Sequence, residues 1–148
     1  MIYILYGSQS GNCESISKML YEILIDENDS ITYGTLNSVV NNIESVNGTV
    51  YIICSTFGNG DAPENANAFW RYIKNRKLNN TFFANINYMV LGLGNSNYSH
   101  FCDMGKKIDK RLGELGGKRI KPLVCVDEVE GLEEPVELWL QQFKPLKI

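Results

Sequence analysis

Three short segments of the chain combine glycine with hydroxyl, amide or aromatic side chains. The first, residues 7–13, contains two serines, a glutamine and an asparagine but no lysine or arginine. At the start of a helix such a segment offers free backbone N–H groups and neutral donors, which suit a phosphate. It lacks the Gly-Lys-Ser/Thr ending of a loop that binds a nucleoside triphosphate. The segment therefore predicts a site for one terminal phosphate, with Ser10 as a simple helix N-cap as the alternative.

The other two segments each place an aromatic residue beside glycines. Phe57 stands within residues 55–65, and Tyr98 stands within residues 92–101. Aromatic rings can flank a planar ligand, and glycine lets the backbone approach the edge of that ligand. A single loop aromatic is more often a packing residue. Two of them, together with a phosphate loop, favour a planar ligand that carries a phosphate.

Apolar patterning indicates the elements that must hold these segments. Four continuous apolar runs are typical of strands covered on both faces of a parallel sheet, at residues 2–6, 50–54, 88–91 and 123–126. A weaker run at 31–33 predicts an edge strand. Helical spacing of apolar residues alternates with the strands, at residues 16–24, 65–74, 104–115 and 132–143, and residues 36–48 give the weakest helical pattern. The alternation predicts a doubly wound α/β sheet of five strands.

The predicted sheet brings the three segments to one place. Each segment follows the carboxyl end of a predicted strand, which is where ligands bind in open α/β sheets. Six of the thirteen glycines fall in these segments. The sequence therefore predicts one site built from three loops.

Composition limits the classes of function. A chain of 148 residues predicts one domain, residues 1–148, and the net charge of −3 gives no basic face for nucleic acid or an anionic membrane. No apolar run reaches the length of a membrane span, and no secretory signal is evident, so we expect a cytoplasmic monomer. Four separated cysteines and the single His100 support neither a metal site nor a disulfide framework, and they offer no catalytic group.

The chain resembles flavodoxins, and among them the FMN domains of diflavin reductases and short stand-alone flavodoxins. The resemblance rests on four stretches in family order, GSQSGNCE, CSTFGNGDAPENA, LGLGNSNYSHFCDMGK and VDEVEGLEEPVELWL. It implies a flavodoxin-like three-layer sandwich, in which a five-stranded parallel sheet of order 2-1-3-4-5 has helices on both faces. FMN would bind at the carboxyl edge of that sheet. The last strand has no insertion of about twenty residues, which is typical of the short-chain form.

The resemblance also implies which residues contact FMN. The phosphate would be held by Ser8, Gln9, Ser10, Gly11, Asn12 and Cys13. The isoalloxazine ring would be bordered on one side by Thr56, Phe57, Gly58, Asn59 and Gly60, and on the other by Leu93, Gly94, Asn95, Asn97, Tyr98, Phe101 and Cys102. Asp127 and Glu128 match an acidic position that reaches the ribityl hydroxyls or the ring edge. Phe57 replaces a tyrosine of many relatives, and Cys13 replaces threonine or alanine.

The function implied is that of an electron carrier without substrate turnover of its own. It would pass low-potential electrons from an NADPH-dependent flavodoxin reductase or similar donor to an acceptor protein with a basic surface. The acidic residues expected near the ring are Asp61, Glu64, Asp127, Glu128, Glu130, Glu133 and Glu134, and the basic residues expected farther along the helices are Lys74, Arg76, Lys77, Lys106, Lys107, Lys110 and Arg111. Alternatives are an activator of a specific enzyme such as a ribonucleotide reductase, an isolated FMN domain of a diflavin reductase, and a flavin-free binding module.

Overall fold

A computed structural model describes residues 1–28 and 30–144 as a three-layer α/β sandwich. Its parallel sheet contains six strands, β1 (Ile2–Gly7), β2 (Ile31–Thr35), β3 (Gly48–Ser55), β4 (Ile86–Gly94), β5 (Lys118–Arg119) and β6 (Val124–Asp127). The strands are ordered β2-β1-β3-β4, and β5 and β6 both pair with the outer side of β4. Because β5 and β6 share the fifth position, the predicted order 2-1-3-4-5 is confirmed.

Four helices cover the two faces of the sheet. They are α1 (Asn12–Leu24), α2 (Asn67–Ile73), α3 (Asp103–Glu114) and α4 (Glu133–Gln141), and 3₁₀ segments lie at Leu36–Ser45, Glu64–Ala66 and Glu128–Glu130. Side chains of α1 and α4 share one hydrophobic cluster with the sheet. Those of α2, α3 and Leu36–Ser45 share the other. The α4 helix ends at Gln141, two residues before the end of the predicted pattern.

The continuous apolar runs are explained by burial on both faces. Ile4 and Leu5 are adjacent in β1, yet each belongs to a different cluster, and Ile52 and Ile53 of β3 do the same. Successive side chains of a strand point to opposite faces, so a central strand of a covered sheet needs apolar residues at every position. The weaker run at 31–33 became β2, which pairs only with β1 and forms one edge.

Two regions differ from the sequence-based expectation. The fifth strand position is divided, because β5 pairs with the start of β4 and β6 with its end, while Pro122 between them has no N–H to donate. Residues Leu36–Ser45 form 3₁₀ turns with a break at Asn42, where φ is −124°. Within residues 1–28 and 30–144, no helix combines the length and apolarity that crossing a membrane requires.

Candidate functional site

The three predicted loops meet at the carboxyl ends of β1, β3 and β4. A cavity of about 450 Å³ opens between the second and third loops, and its lining residues are Thr56, Phe57, Gly58, Gly94, Asn95, Tyr98, His100 and Glu128. Two aromatic side chains of this lining are exposed, Phe57 at 52% and Tyr98 at 65%. Large aromatic side chains are costly to leave in water, so their exposure at a shared cavity indicates a surface made for a flat apolar ligand.

The first loop leaves the start of α1 open. Gly11 precedes the helix with φ of 84°, a left-handed conformation that suits glycine, and among the described residues no side chain caps the helix. The Ser10 N-cap considered above is therefore not formed. The side-chain oxygen of Ser8 is buried and makes no hydrogen bond within the described chain. It lies beside the thiol of Cys13, a weak hydrogen-bonding partner. Open amides and a buried free hydroxyl fit a phosphate.

The Cys13 thiol lies beneath this loop, in the core. Its side chain is fully buried in the cluster formed by α1, α4 and the sheet. Burial is the main cause that raises the pKa of the Cys13 thiol to about 12. The thiol belongs to the core, so the predicted phosphate contact of Cys13 would have to come from its backbone N–H.

A side chain from the second loop region holds the first loop. The Ser8 backbone N–H donates to Asn65 Oδ1 at 2.9 Å, and Asn65 Nδ2 donates to the Ser8 carbonyl at 3.3 Å. The sequence reasoning missed this contact, because the two residues are 57 positions apart and Asn65 was placed only where the second segment meets the predicted helix of residues 65–74. Asn65 is the middle residue of the 3₁₀ segment Glu64–Ala66, so its side chain joins the end of the second loop to the end of β1.

The second loop is a tight turn that projects Phe57. Phe57 and Asp61 exchange two backbone hydrogen bonds of 2.8 Å each. Gly58 and Gly60 inside the turn have φ of 55° and 95°, which other residues rarely adopt. A Cβ on Gly58 would have no described atom within 4 Å, whereas a Cβ on Gly60 would lie 3.1 Å from Asp103 Oδ2. Gly60 therefore packs against the third loop region, and Gly58 borders open space.

The third loop is tied to the end of β6. Asp127 Oδ1 accepts the backbone N–H of Ser96 at 3.1 Å and that of Val129 at 3.0 Å. A hydrogen bond from the Ser96 side chain is the largest cause that lowers the pKa of Asp127, and the two amides lower it further. The Tyr98 backbone N–H donates to the Asn95 carbonyl at 3.0 Å, which closes the turn that carries Tyr98. Asp127 thus orders this loop.

The far end of the third loop packs closely on β4. A Cβ on Gly94 would lie 2.6 Å from the Cys102 backbone nitrogen and 3.0 Å from Phe101 Cδ1. Cys102 is buried and adopts φ of 60° just before α3. Lys106 donates from Nζ to the Phe101 carbonyl at 3.2 Å and lies 5.6 Å above the Phe101 ring. Lys106 therefore lies nearer the site than expected, because α3 begins directly beneath this loop.

The other predicted contact residues differ in burial and in whether their polar groups are already hydrogen-bonded within the protein. The hydroxyl of Thr56 accepts the Met104 backbone N–H at 3.0 Å, which joins the second loop to α3. Leu93 is fully buried in the core. A further group of predicted contact residues is exposed or partly exposed, and its members are Gln9, Ser10, Gly11, Asn12, Asn59, Asn95 and Asn97. Their contacts with a ligand stay predictions.

Besides Tyr98, two ionisable side chains line the cavity, Glu128 and His100. Burial, and after it the charge of Asp127, raises the pKa of Glu128. His100 Nδ1 lies 2.9 Å from Asp103 Oδ2, which fixes the orientation of the imidazole ring. His100, for which the sequence predicted no role in the site, also contributes to the cavity wall. The His-Phe-Cys-Asp spacing was the available signal, since residues three apart meet across a turn, and the Asp103 N–H donates to the His100 carbonyl at 3.2 Å at the start of α3.

Comparisons with known proteins agree with this fold and site. The flavodoxin family profile matches residues 4–139, and the chain belongs to the flavodoxin family. It is a flavodoxin-like electron-transfer domain, and its cofactor is FMN. The uncapped α1 helix, the buried Ser8 hydroxyl and the aromatic-lined cavity fit a flavin that carries one phosphate.

The most similar curated proteins include flavoprotein reductases. Methionine synthase reductase of Mus musculus is 36% identical over 138 residues, which cover 93% of this chain and 20% of that protein. The sulfite reductase [NADPH] flavoprotein alpha-component of Bacillus subtilis is 34% identical over 140 residues, covering 95% and 22%. The chain therefore spans about a fifth of the length of these relatives.

A solved structure shows the same fold. The oxidised Flavodoxin 1 from Bacillus cereus superposes with a TM-score of 0.76 at 19% identity, covering 96% of this chain and 93% of that one.

Proposed function

We propose that this chain accepts electrons from an NADPH-dependent reductase or reductase domain and passes them through FMN to an acceptor protein. The observation that carries the proposal is the pairing of two exposed aromatic rings, Phe57 and Tyr98, with the uncapped N-terminus of α1. An aromatic-lined cavity beside an anion site accommodates the two chemically different ends of one flavin nucleotide.

Each end of the cofactor would be held by different groups. The phosphate would be held by the Ser8 hydroxyl and by backbone N–H groups of residues 9–13. The ring would lie against Phe57 and Tyr98, with the remaining predicted residues around its edge. Bound FMN supplies one- and two-electron chemistry, which the protein side chains cannot provide.

The protein contributes orientation, exclusion of water and electrostatics. Glu128 lines the cavity, and its raised pKa indicates that a negative charge is unfavourable there. Adding further negative charge to the ring would be costly for the same reason, which lowers the reduction potential. Gly58, with positive φ and open space around it, could turn its peptide so that its carbonyl accepts a hydrogen bond from an N–H of the ring.

A basic surface on the acceptor is supported by a concentration of acids. Residues 122–143 contain no lysine, arginine or histidine, and their acids are Asp127, Glu128, Glu130, Glu133, Glu134 and Glu137. This segment reaches the cavity at Glu128 and continues from there along α4. A surface of one sign speeds encounter with a partner of the opposite sign. An isolated FMN domain of a larger reductase is the second candidate, which the short coverage of the reductase relatives favours.

The test is a titration of the purified, flavin-free chain with FMN. We expect quenching of flavin fluorescence and visible flavin bands that stay with the protein after gel filtration. Reduction by an NADPH-dependent flavodoxin reductase should then proceed at a rate that falls as salt is raised. Unquenched FMN would refute the cofactor assignment. A reduction rate that does not depend on salt concentration would refute the proposal that the partner has a basic surface.

A further inference from the structure

We propose that Asn65 is a positioning residue that makes the site selective for the phosphorylated flavin over riboflavin. The proposal rests on the FMN function proposed above. Asn65 would act through the loop of residues 8–11 without touching the ligand. Asn65 lies outside the three predicted sets of FMN contacts. Its role would be to favour binding of FMN over riboflavin, which has the same ring but no phosphate.

The geometry that carries the proposal is a two-point clamp. Asn65 binds both polar backbone groups of Ser8, accepting its N–H at 2.9 Å and donating to its carbonyl at 3.3 Å. Two hydrogen bonds to one peptide residue fix its orientation, whereas one would leave it free to rotate. Ser8 is the first residue after β1, so its orientation sets the path of the chain toward α1.

The clamp determines which groups remain available for an anion. Because the Ser8 N–H is engaged by Asn65, the hydroxyl is the donor of Ser8 left for a ligand, and within the described residues that buried hydroxyl has only the weakly hydrogen-bonding Cys13 thiol beside it. A buried hydroxyl with so weak a partner costs free energy until a better acceptor binds it. A phosphate oxygen would satisfy it, and riboflavin has no such group.

Asn65 is itself held firmly. The neighbouring Glu64 carbonyl accepts a hydrogen bond from Asn37 Nδ2 at 2.9 Å, and Asn37 Oδ1 accepts the Phe69 N–H at 3.0 Å. Ala66 is fully buried against the end of β1, where a Cβ on Gly7 would come within 2.6 Å of the Ala66 Cβ. The clamp is therefore anchored on both sides, and it transmits the position of the second loop region to the phosphate loop.

The experiment compares FMN and riboflavin as ligands of the flavin-free chain. Affinities are measured by quenching of flavin fluorescence in the wild type and in Asn65→Ala. Loss of two hydrogen bonds should weaken FMN binding by about tenfold to a hundredfold. Riboflavin binding should change by less than about twofold, because the ring-binding loops are intact. The FMN-to-riboflavin affinity ratio is the quantity that tests positioning, since general destabilisation lowers both affinities together.

A matched control is available at the opposite end of the sheet. Asn79 likewise makes two hydrogen bonds to a single residue, accepting the Thr81 backbone N–H at 2.9 Å and the Thr81 hydroxyl at 2.8 Å, in the turn region before β4. Asn79→Ala should leave the affinity ratio unchanged. A ratio that falls equally in both variants, or that does not fall in Asn65→Ala, overturns the proposal. Failure of the wild type to bind FMN would instead refute the proposed function.

A measurement on the wild type keeps the proposal testable if Asn65→Ala does not fold. The Ser8 amide should exchange with solvent more slowly than the exposed amides of Gln9 and Ser10, because Asn65 accepts it. NMR-detected hydrogen exchange of the flavin-free protein measures this directly. Exchange of Ser8 at the same rate as its two neighbours would show that the clamp does not form in solution, and the proposal would be abandoned.

Discussion

The phosphate half of the site relies on main-chain groups, whereas the ring half relies on side chains. On the phosphate side, the first amides of α1 have no side-chain cap in the described chain and so are free to bind a ligand. Asn65 fixes the position of the chain that leads to them. On the ring side, Phe57 and Tyr98 stand out from short turns that are closed by local hydrogen bonds. The first half recognises charge, and the second recognises a flat apolar surface.

This difference determines what mutations should do to each half. Apart from the Ser8 hydroxyl, the donors of the phosphate half belong to the main chain, and no substitution except one by proline removes them. The phosphate half is therefore sensitive mainly through Ser8 and through residues that position the loop, such as Asn65. The ring half can be altered by changing the side chains themselves. FMN and riboflavin therefore separate the two halves experimentally, since only FMN uses both. Changes in the ring half should alter both affinities equally.

The largest effect is expected for Gly94→Ala. The added Cβ would lie 2.6 Å from the Cys102 backbone nitrogen, which a side-chain rotation cannot relieve. We expect the free energy of unfolding to fall by about 3 kcal/mol, and both flavins to bind more weakly as the third loop shifts. Chemical denaturation and fluorescence titration measure the two effects. The control is Gly34→Ala, whose Cβ would lie 2.9 Å from the Ser38 hydroxyl, which can rotate away at the cost of its hydrogen bond to the Thr35 carbonyl. Equal losses in the two variants would contradict the expectation.

Tyr98→Ala should weaken both flavins by about tenfold, because an aromatic stacking contact contributes about 0.5–1.5 kcal/mol. Tyr98 is 65% exposed, so the unfolding free energy of the flavin-free protein should change by less than about 0.5 kcal/mol. Fluorescence titration and denaturation of the same preparation provide both values. A change in the FMN-to-riboflavin ratio would show that the two halves are not separate.

Asp127→Asn tests how the ring half is ordered. The lowered pKa of Asp127 means that its hydrogen bonds from Ser96 and Val129, which order the third loop, are stronger to the charged carboxylate. That contribution is present above the usual aspartate pKa of about 3.9, and it is lost as pH falls through the lowered value in the folded protein. The Ser96 amide resonance should therefore shift on acidification in the wild type and not in the variant. Both flavins should bind a few-fold more weakly to Asp127→Asn, and a pH-independent Ser96 resonance in the wild type would exclude this role.

The smallest effect is expected for Glu128→Gln. Removing a charge from the cavity wall should raise the reduction potential of bound FMN by about 40 mV, which corresponds to about 1 kcal/mol for one electron. Spectroelectrochemical titration measures this shift. Glu134→Gln on α4 removes an equal charge outside the cavity lining and should move the potential less. Indistinguishable shifts would argue against a local role for Glu128.

Much of the fold could be predicted from the sequence because burial leaves a periodic trace. The runs around Ile4, Ile52 and Val90 are apolar at every position, and each lies in a strand covered on both faces. The strand Lys118–Arg119 left no such trace, because it is short, exposed and charged. It pairs with β4 through backbone groups, which any residue type supplies.

The site was predictable in its location and only partly in its contacts. The three loops follow three strand ends, so their meeting could be inferred from topology alone. The direction of the Cys13 thiol depends on the rotation of α1, and the role of Asn65 depends on a contact across 57 residues. Neither follows from local spacing. The glycines were likewise ambiguous, since Gly94 allows close packing of the chain whereas Gly58 borders open space.

The placement of the four thiols affects how readily each can be oxidised, which matters beside a cofactor that can react with oxygen. Peroxides attack the thiolate, and burial raises the pKa of Cys13 and Cys54, which keeps both as neutral thiols at physiological pH. A hydrogen bond between the two sulfurs raises the pKa of Cys102 and lowers that of Cys125. Cys125 is also the partly exposed member of the four. We therefore expect oxidation to reach Cys125, at the edge of the sheet, before the buried thiols of the core.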